Sequence, residues 1–366
     1  ENSFVPCLIR LGNGIEKRML FSFLSLFSIL VCFGTLEAVN VKNVTFTSAL
    51  DPNLPKDFFY QGEYVGETHG AQVISLGNGH FQAVLLPGGL PGNGWDQKNK
   101  SLVSGTLVGN SVILKNAEGE RSYLAQDPSL FSATKLFPPP GHKLFSGSIE
   151  SEIMTLLGEN GEKLHLKKII RKSPSLGKKQ PENAIILFDG SNKDEWLGGR
   201  IDPKTKLLHT DGKDIISKRK FNDYQLHLEF LLPYRPSARG QARGNSGLYH
   251  VSMYENQILD TFGLEGLHNE CGGIYSLQNA MVNACFPPLS WQTYDIDFVN
   301  ARNSSGEKTS NARITAKLNG ILIHDGFEIP KKTGGSRRDP EGTSGSIKLQ
   351  GHNNPLQFKN IWIVKK

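Results

Sequence analysis

The chain has 366 residues, 38% of them apolar and 21% charged, with a formal net charge of +6. At roughly 150 residues per domain that length predicts about two domains and excludes a single small module. The composition likewise excludes a polytopic membrane protein and a disordered polyelectrolyte. With 39 Gly and 19 Pro, and no long run of Ala, Glu, Lys and Leu at helical spacing, the chain reads as all-β.

Lys17 and Arg18 precede an apolar run over residues 19–33, which Gly34, Thr35, Leu36, Glu37 and Ala38 follow. A charged start, a short apolar core and a cleavage position after Ala38 make residues 1–38 an expected export leader, with Met19 the expected start and 1–18 a mistranslated upstream segment. The core is short for a spanning helix, so an uncleaved anchor is the weaker alternative and no stable membrane insertion is expected of the mature chain. Its expected location is periplasmic or extracellular. Cleavage removes Cys7 and Cys32 and leaves Cys271 and Cys285, which an oxidising compartment allows to form a disulfide; the alternative is two reduced, buried thiols.

Residues 40–172 carry short alternating runs at 71–76, 80–86 and 111–115, separated by Gly, Asn and Pro, and read as a smaller β-domain whose role the sequence does not disclose. Asn78-Gly79 and Asn160-Gly161 are hairpin signals because both residue types tolerate positive φ. Between Lys163 and Lys179 there is no Asp or Glu, and 173–183 reads as a polar interdomain linker fixed by two prolines. A solvated linker accounts for this basic cluster. No aromatic residue interleaves it and no base-reading motif follows, so a nucleic-acid partner is set aside.

From 184 to 366, runs at 224–232, 246–253, 255–259, 294–298, 313–318, 321–324, 347–350 and 357–364 follow one another with little helix, and Asn319-Gly320 marks a hairpin. Many strands at short spacing predict a sandwich or jelly roll. In the run 254–260, Glu255 and Gln257 share one strand face while Tyr254, Asn256 and Ile258 share the other. Such a polar face is either solvated or a binding surface. The loop that follows, 260–275, contains Asp260, Glu265, His268 and Glu270, and long loops on a β-scaffold are where sites are built. Arg235, Arg239 and Arg243 are either a flexible basic loop or contacts for anions and sugar hydroxyls. Gln350 and His352 end a strand, His352 being a residue type suited to acid–base work or to a structural turn. Tyr275 and Trp291 are suited to stacking on sugar rings or to packing a core. Metal-ligand spacings, GxSxG, a P-loop and a dinucleotide fingerprint are all missing, so no motif supports a cofactor or a catalytic metal. Nothing in the sequence reports on oligomeric state.

The segments 185–190, 224–230, 244–249, 254–260, 272–275, 318–320 and 347–352 with 358–361 resemble, in order, the 3-keto-disaccharide hydrolase family, also described as 3-keto-glucoside 1,2-lyase and 2-hydroxy-glucal hydratase. The resemblance spans about 183–366 and implies a concanavalin-A-like jelly roll, a carbohydrate substrate and cleavage of 3-keto-glycosides, with room for a divalent ion in some members. Residues 55–172 resemble an amino-terminal β-domain found ahead of it in exported bacterial proteins. A ketone at C3 acidifies the C2 hydrogen, so the site needs a base, a cation or donor at the enolate oxygen, and an acid at the leaving group. On that chemistry Glu255 and His352 are the base and acid candidates, with Arg243, Gln257 and Gln350 as orienting or enolate-stabilising groups. Gln257 stands where a retaining glycosidase would need its second carboxylate, which disfavours double displacement. A non-catalytic carbohydrate-binding module on the same fold is the main rival, and an adhesion or scaffolding protein the third reading.

Overall fold

The computed structural model describes residues 44–366; the expected leader, its cleavage position, Cys7 and Cys32 lie outside them. No helix among the described residues is long and apolar enough to cross a membrane.

Eight antiparallel strands, Gly62–Val65, His69–Gly77, His80–Pro87, Ser101–Val108, Ser111–Asn116, Phe145–Glu150, Ile153–Gly158 and Lys163–Ile169, close into a barrel in which the first pairs with the last. Closure leaves no free edge. Strict alternation in Ile153–Gly158 turns Met154 and Leu156 into a lumen they share with Tyr64, Val73, Phe81 and Phe145. Asn78 and Gly79, at φ 53° and 75°, make the expected hairpin turn, and Gly161 turns the next one at φ 82°. The connection between the fifth and sixth strands is long and holds a short parallel pair, Ser122–Tyr123 with Phe131–Ser132. On the outside of the barrel wall Ile74, Leu76, Leu86 and Phe131 form a second apolar core with Phe262 and Leu264 from the carboxy-terminal half. The two halves are therefore fused by burial along 262–264.

Residues 185–365 form two antiparallel sheets packed face to face, a jelly-roll sandwich. The larger, eight-stranded sheet is built on Tyr224–Leu231, Trp291–Val299, Ala312–Leu318, Ile321–Ile329 and Gln357–Lys365. The smaller sheet runs in the order Trp196–Leu197, Ile215–Ser217, Lys348–Leu349, Ser246–His250, Tyr254–Ile258. Leu226, Leu228, Phe230, Ile296 and Phe298 meet Leu248, Ile258 and Leu349 between them. The Asn319-Gly320 hairpin forms at φ 54° and 79°.

The stretch 173–183 has a linker's composition but is laid across the outer face of the larger sheet. Ser175 Oγ donates to Asp295 at 2.5 Å, the Gly177 amide donates to Glu229 at 2.6 Å, and Lys178 pairs with Asp295 at 3.1 Å. His227 sits between the two carboxylates, 2.9 Å from Asp295 and 3.3 Å from Glu229. Burial disfavours a charge on the imidazole, but the two carboxylates outweigh it and hold its pKa above the usual histidine range. Asp295 is desolvated too, yet His227, Ser175 and Lys178 bring it down to about 2. The basic window is thus not a free tether: Arg171 forks onto the buried Glu63 at 2.6 Å, and Lys178 reaches the sheet.

Candidate active site

The register of the smaller sheet assembles the site. Tyr249 pairs with Glu255 on one side and Lys348 on the other, and Gly247 pairs with Gln257, so these residues share a face two positions apart. Gln350 joins them through its amide, which donates to the Gly247 carbonyl at 2.9 Å. The opposite face carries Leu248, Asn256, Ile258 and Leu349 into the core, as the alternation in 254–258 requires. Glu255, Gln257 and Gln350 are thus brought together from strands nearly a hundred residues apart.

Glu255 is buried, and its Oε2 accepts a hydrogen bond of 2.8 Å from the Tyr249 hydroxyl. A Cβ at Gly247 would overlap the carboxylate, so only glycine leaves the space that it occupies. Burial pushes the Glu255 pKa up, against the Tyr249 hydrogen bond and the Lys348 ammonium, to about 7. Lys348 lies 3.7 Å above the Tyr249 ring, donates to the Gly335 carbonyl at 2.9 Å and stands 3.7 Å from Asp214. Burial draws its pKa below the usual lysine range. The 333–335 segment closes over these groups: Thr333 Oγ1 accepts the Glu255 amide at 3.0 Å, and Tyr249 also contacts the Gly334 carbonyl at 2.9 Å.

Gln257 donates to Gln241 Oε1 at 3.0 Å, and Gln241 donates to the Asn269 carbonyl at 2.8 Å. Backbone bonds then zip the 272–275 segment along the Tyr254–Ile258 strand. The Gly272 amide donates to the Gln257 carbonyl, the Gln257 amide to Gly273, and the Tyr275 amide to Glu255, at 3.0, 2.9 and 3.1 Å. The half-buried Tyr275 ring lies against Gly334, beside the Tyr249–Glu255 pair.

Three sequence candidates lie elsewhere. Arg243 turns away from the carboxylate: its Nε donates to Asp260 at 2.7 Å and its Nη1 to the Pro236 carbonyl at 3.0 Å, at the seam with the barrel, so the guanidinium is consumed internally. Trp291 belongs to the larger sheet, under the Lys359 ammonium at 4.1 Å, and lines a separate cavity of about 770 Å³ with Phe58, Phe59, Ile170 and Pro287. His352 follows the strand in a left-handed turn at φ 44°, exposed, with no side-chain hydrogen bond to any described residue. The period-two argument that would have put it beside Gln350 ends with the strand at Leu349.

Cys271 and Cys285 are buried free thiols, Cys271 Sγ 3.8 Å from the Tyr294 hydroxyl and Cys285 Sγ donating to the Phe286 carbonyl at 3.4 Å, so the disulfide considered from the sequence is not formed in this structure. Among the described residues no group of three His, Cys, Asp or Glu side chains is disposed to hold a metal ion. Sequence reasoning missed Tyr249, Lys348 and Asp214. The signal for two of them was present, since Lys348 shares Gln350's parity and Tyr249 shares Gly247's.

Comparison with known proteins finds no match among the curated ones. Among solved structures, a candidate glycosyl hydrolase from Parabacteroides distasonis ATCC 8503 is 30% identical over 51% of this chain and 85% of its own, with a TM-score of 0.47. A second candidate glycosyl hydrolase from the same organism is 18% identical over 50% of this chain and 95% of its own, with a TM-score of 0.37. The family model of the 3-keto-alpha-glucoside-1,2-lyase-like domain matches residues 183–364, all but the last residue of the sandwich that carries Glu255. The jelly-roll half of this chain belongs to that family.

Proposed function

We propose that this protein is an exported carbohydrate-active enzyme that cleaves 3-keto-glycosides by 1,2-elimination and rehydration, with Glu255 as the base. The observation that carries the reading is a single buried carboxylate with a pKa of about 7, flanked by a hydroxyl and an ammonium on one sheet face of a family domain. A base poised near neutrality balances its ionised fraction against its driving force for proton transfer.

In this scheme the C2–H bond breaks, the proton passes to Glu255, and the electron pair delocalises onto the C3 oxygen as an enolate. Lys348, desolvated beside Glu255, offsets that developing charge. The pair then returns to form C1=C2 and break the C1–O bond, and the leaving oxygen takes the proton from Glu255. Water adds across the double bond to give the free 3-keto sugar. Tyr249 fixes the carboxylate's orientation, Gln257 braces the strand through Gln241, Gln350 presents its amide to ring hydroxyls, and Tyr275 offers a stacking face. One carboxylate handling the proton in both directions needs no second acid, which fits the glutamine at 257.

Release of free sugar from a 3-keto-disaccharide tests the reading against simple retention on a polysaccharide column. Glu255→Gln is nearly isosteric, and turnover should fall about 10³-fold with little change in Tm. Retention without release by the unaltered protein would overturn the catalytic reading in favour of a binding module. Export is tested separately: amino-terminal sequencing of the native protein should begin near Val39.

A further inference from the structure

The barrel holds the site's supporting loop from several sides, and one of these contacts closes the turn at its centre. Tyr123, in the long connection of the barrel, donates its hydroxyl to Glu270 Oε1. Glu270 is buried, and its other oxygen accepts the amides of Gly266 and Leu267 at 2.6 and 3.1 Å. That one carboxylate therefore closes the 266–270 turn. From the same turn the Asn269 carbonyl anchors Gln241 and through it Gln257, and directly after it Gly272–Tyr275 pair with the backbone of Glu255 and Gln257. Lys100 of the barrel pairs with Glu265 at 3.6 Å on the near side of the turn, and Phe262 and Leu264 lock the segment before it into the barrel's outer core.

We infer that Tyr123 is a positioning residue: the amino-terminal barrel holds, through the Tyr123–Glu270 hydrogen bond, the loop that fixes Glu255 and Gln257 in register. The inference rests on the reading of Glu255 as the base and gives the barrel a place in that reaction. A carboxylate desolvated to this degree needs each of its donors, and burial already pushes the Glu270 pKa up to about 7 against the Leu267 and Gly266 amides and the Lys100 ammonium. Removing the third donor favours the neutral acid, which no longer grips the amides as a charged acceptor does.

The test compares Tyr123→Phe with Gln126→Ala. Gln126 also joins the barrel to the sandwich, donating to the Ser237 carbonyl at 2.9 Å, but it does not touch the 266–275 loop. For Tyr123→Phe, kcat should fall about tenfold or more, since small misplacement of a reacting group is costly, while KM stays within about twofold. The midpoint of the acid limb of kcat/KM should also move, because the surroundings of Glu255 change. Gln126→Ala should leave all three unchanged. Amide hydrogen exchange gives a readout independent of turnover: the amides of Gln257, Gly272 and Tyr275 should exchange faster in Tyr123→Phe and not in Gln126→Ala. Unaltered protection of those amides overturns the inference, as does an unaltered kcat in a folded Tyr123→Phe protein. If the unaltered protein turns over no 3-keto-glycoside, the catalytic reading fails and the exchange data alone decide whether Tyr123 holds the loop.

Discussion

Tyr249→Phe isolates the interaction that tunes the proposed base. The change deletes one hydroxyl from a ring pressed against Lys348 and removes the donor 2.8 Å from Glu255 Oε2. A hydrogen bond to a charged group is worth about 1.5–3 kcal/mol, and one pKa unit is about 1.4 kcal/mol, so the Glu255 pKa should rise by about 1–2 units. The direction is fixed because Tyr249 stabilises the ionised form against burial. From a pKa of about 7, the ionised fraction at pH 7 would fall from about one half to between about one tenth and one hundredth. That predicts a loss of about five- to fiftyfold in kcat/KM at pH 7, recovered in large part as pH rises above 9. The assay is the pH profile of kcat/KM on a 3-keto-disaccharide. An acid limb that stays in place, or moves to lower pH, would refute both the role of Tyr249 and the assignment of the limb to Glu255.

Arg243→Met should leave Asp260 buried without its ion pair and destabilise the fold by about 3–5 kcal/mol in denaturant titration, while specific activity of the folded fraction holds. A large rise in KM without loss of stability would instead return Arg243 to the substrate. The clamp on the linker should show in stability against pH. The His227 pKa is raised in the folded state, so its contribution is full below about pH 6.5 and is lost as pH rises through the higher folded value. His227→Gln should accordingly lower Tm more at pH 5.5 than at pH 9 in calorimetry, and an equal loss at both would show that His227 acts through packing alone. Asp295, held at about 2, contributes in the opposite sense: its share is full above its unfolded value near 4 and lost only as pH falls towards 2.

Local signals settled the parts of this protein that depend on short-range geometry. The Gly and Pro content and the absence of helical periodicity excluded a helical fold, and Asn78-Gly79 and Asn319-Gly320 located turns because few other pairs accept two positive φ values. Side-chain parity within one strand put Glu255 and Gln257 on one face and Asn256 and Ile258 on the other. Parity carries only as far as a strand does. It failed at His352, where the chain leaves the sheet at Leu349 and turns through positive φ, and it gave no warning that Trp291 and Glu255 lie on different sheets. Which strands neighbour one another is fixed by burying two whole sheet faces together, a property of all the strands at once. That packing alone set Tyr249 between Glu255 and Lys348, spent Arg243 on Asp260, and laid a hydrophilic linker over His227. The pKa of Glu255 belongs to the same class, because desolvation depends on what covers a carboxylate, and the cover here comes from residues 247, 249 and 333–335, supplied by segments that the chain order keeps apart.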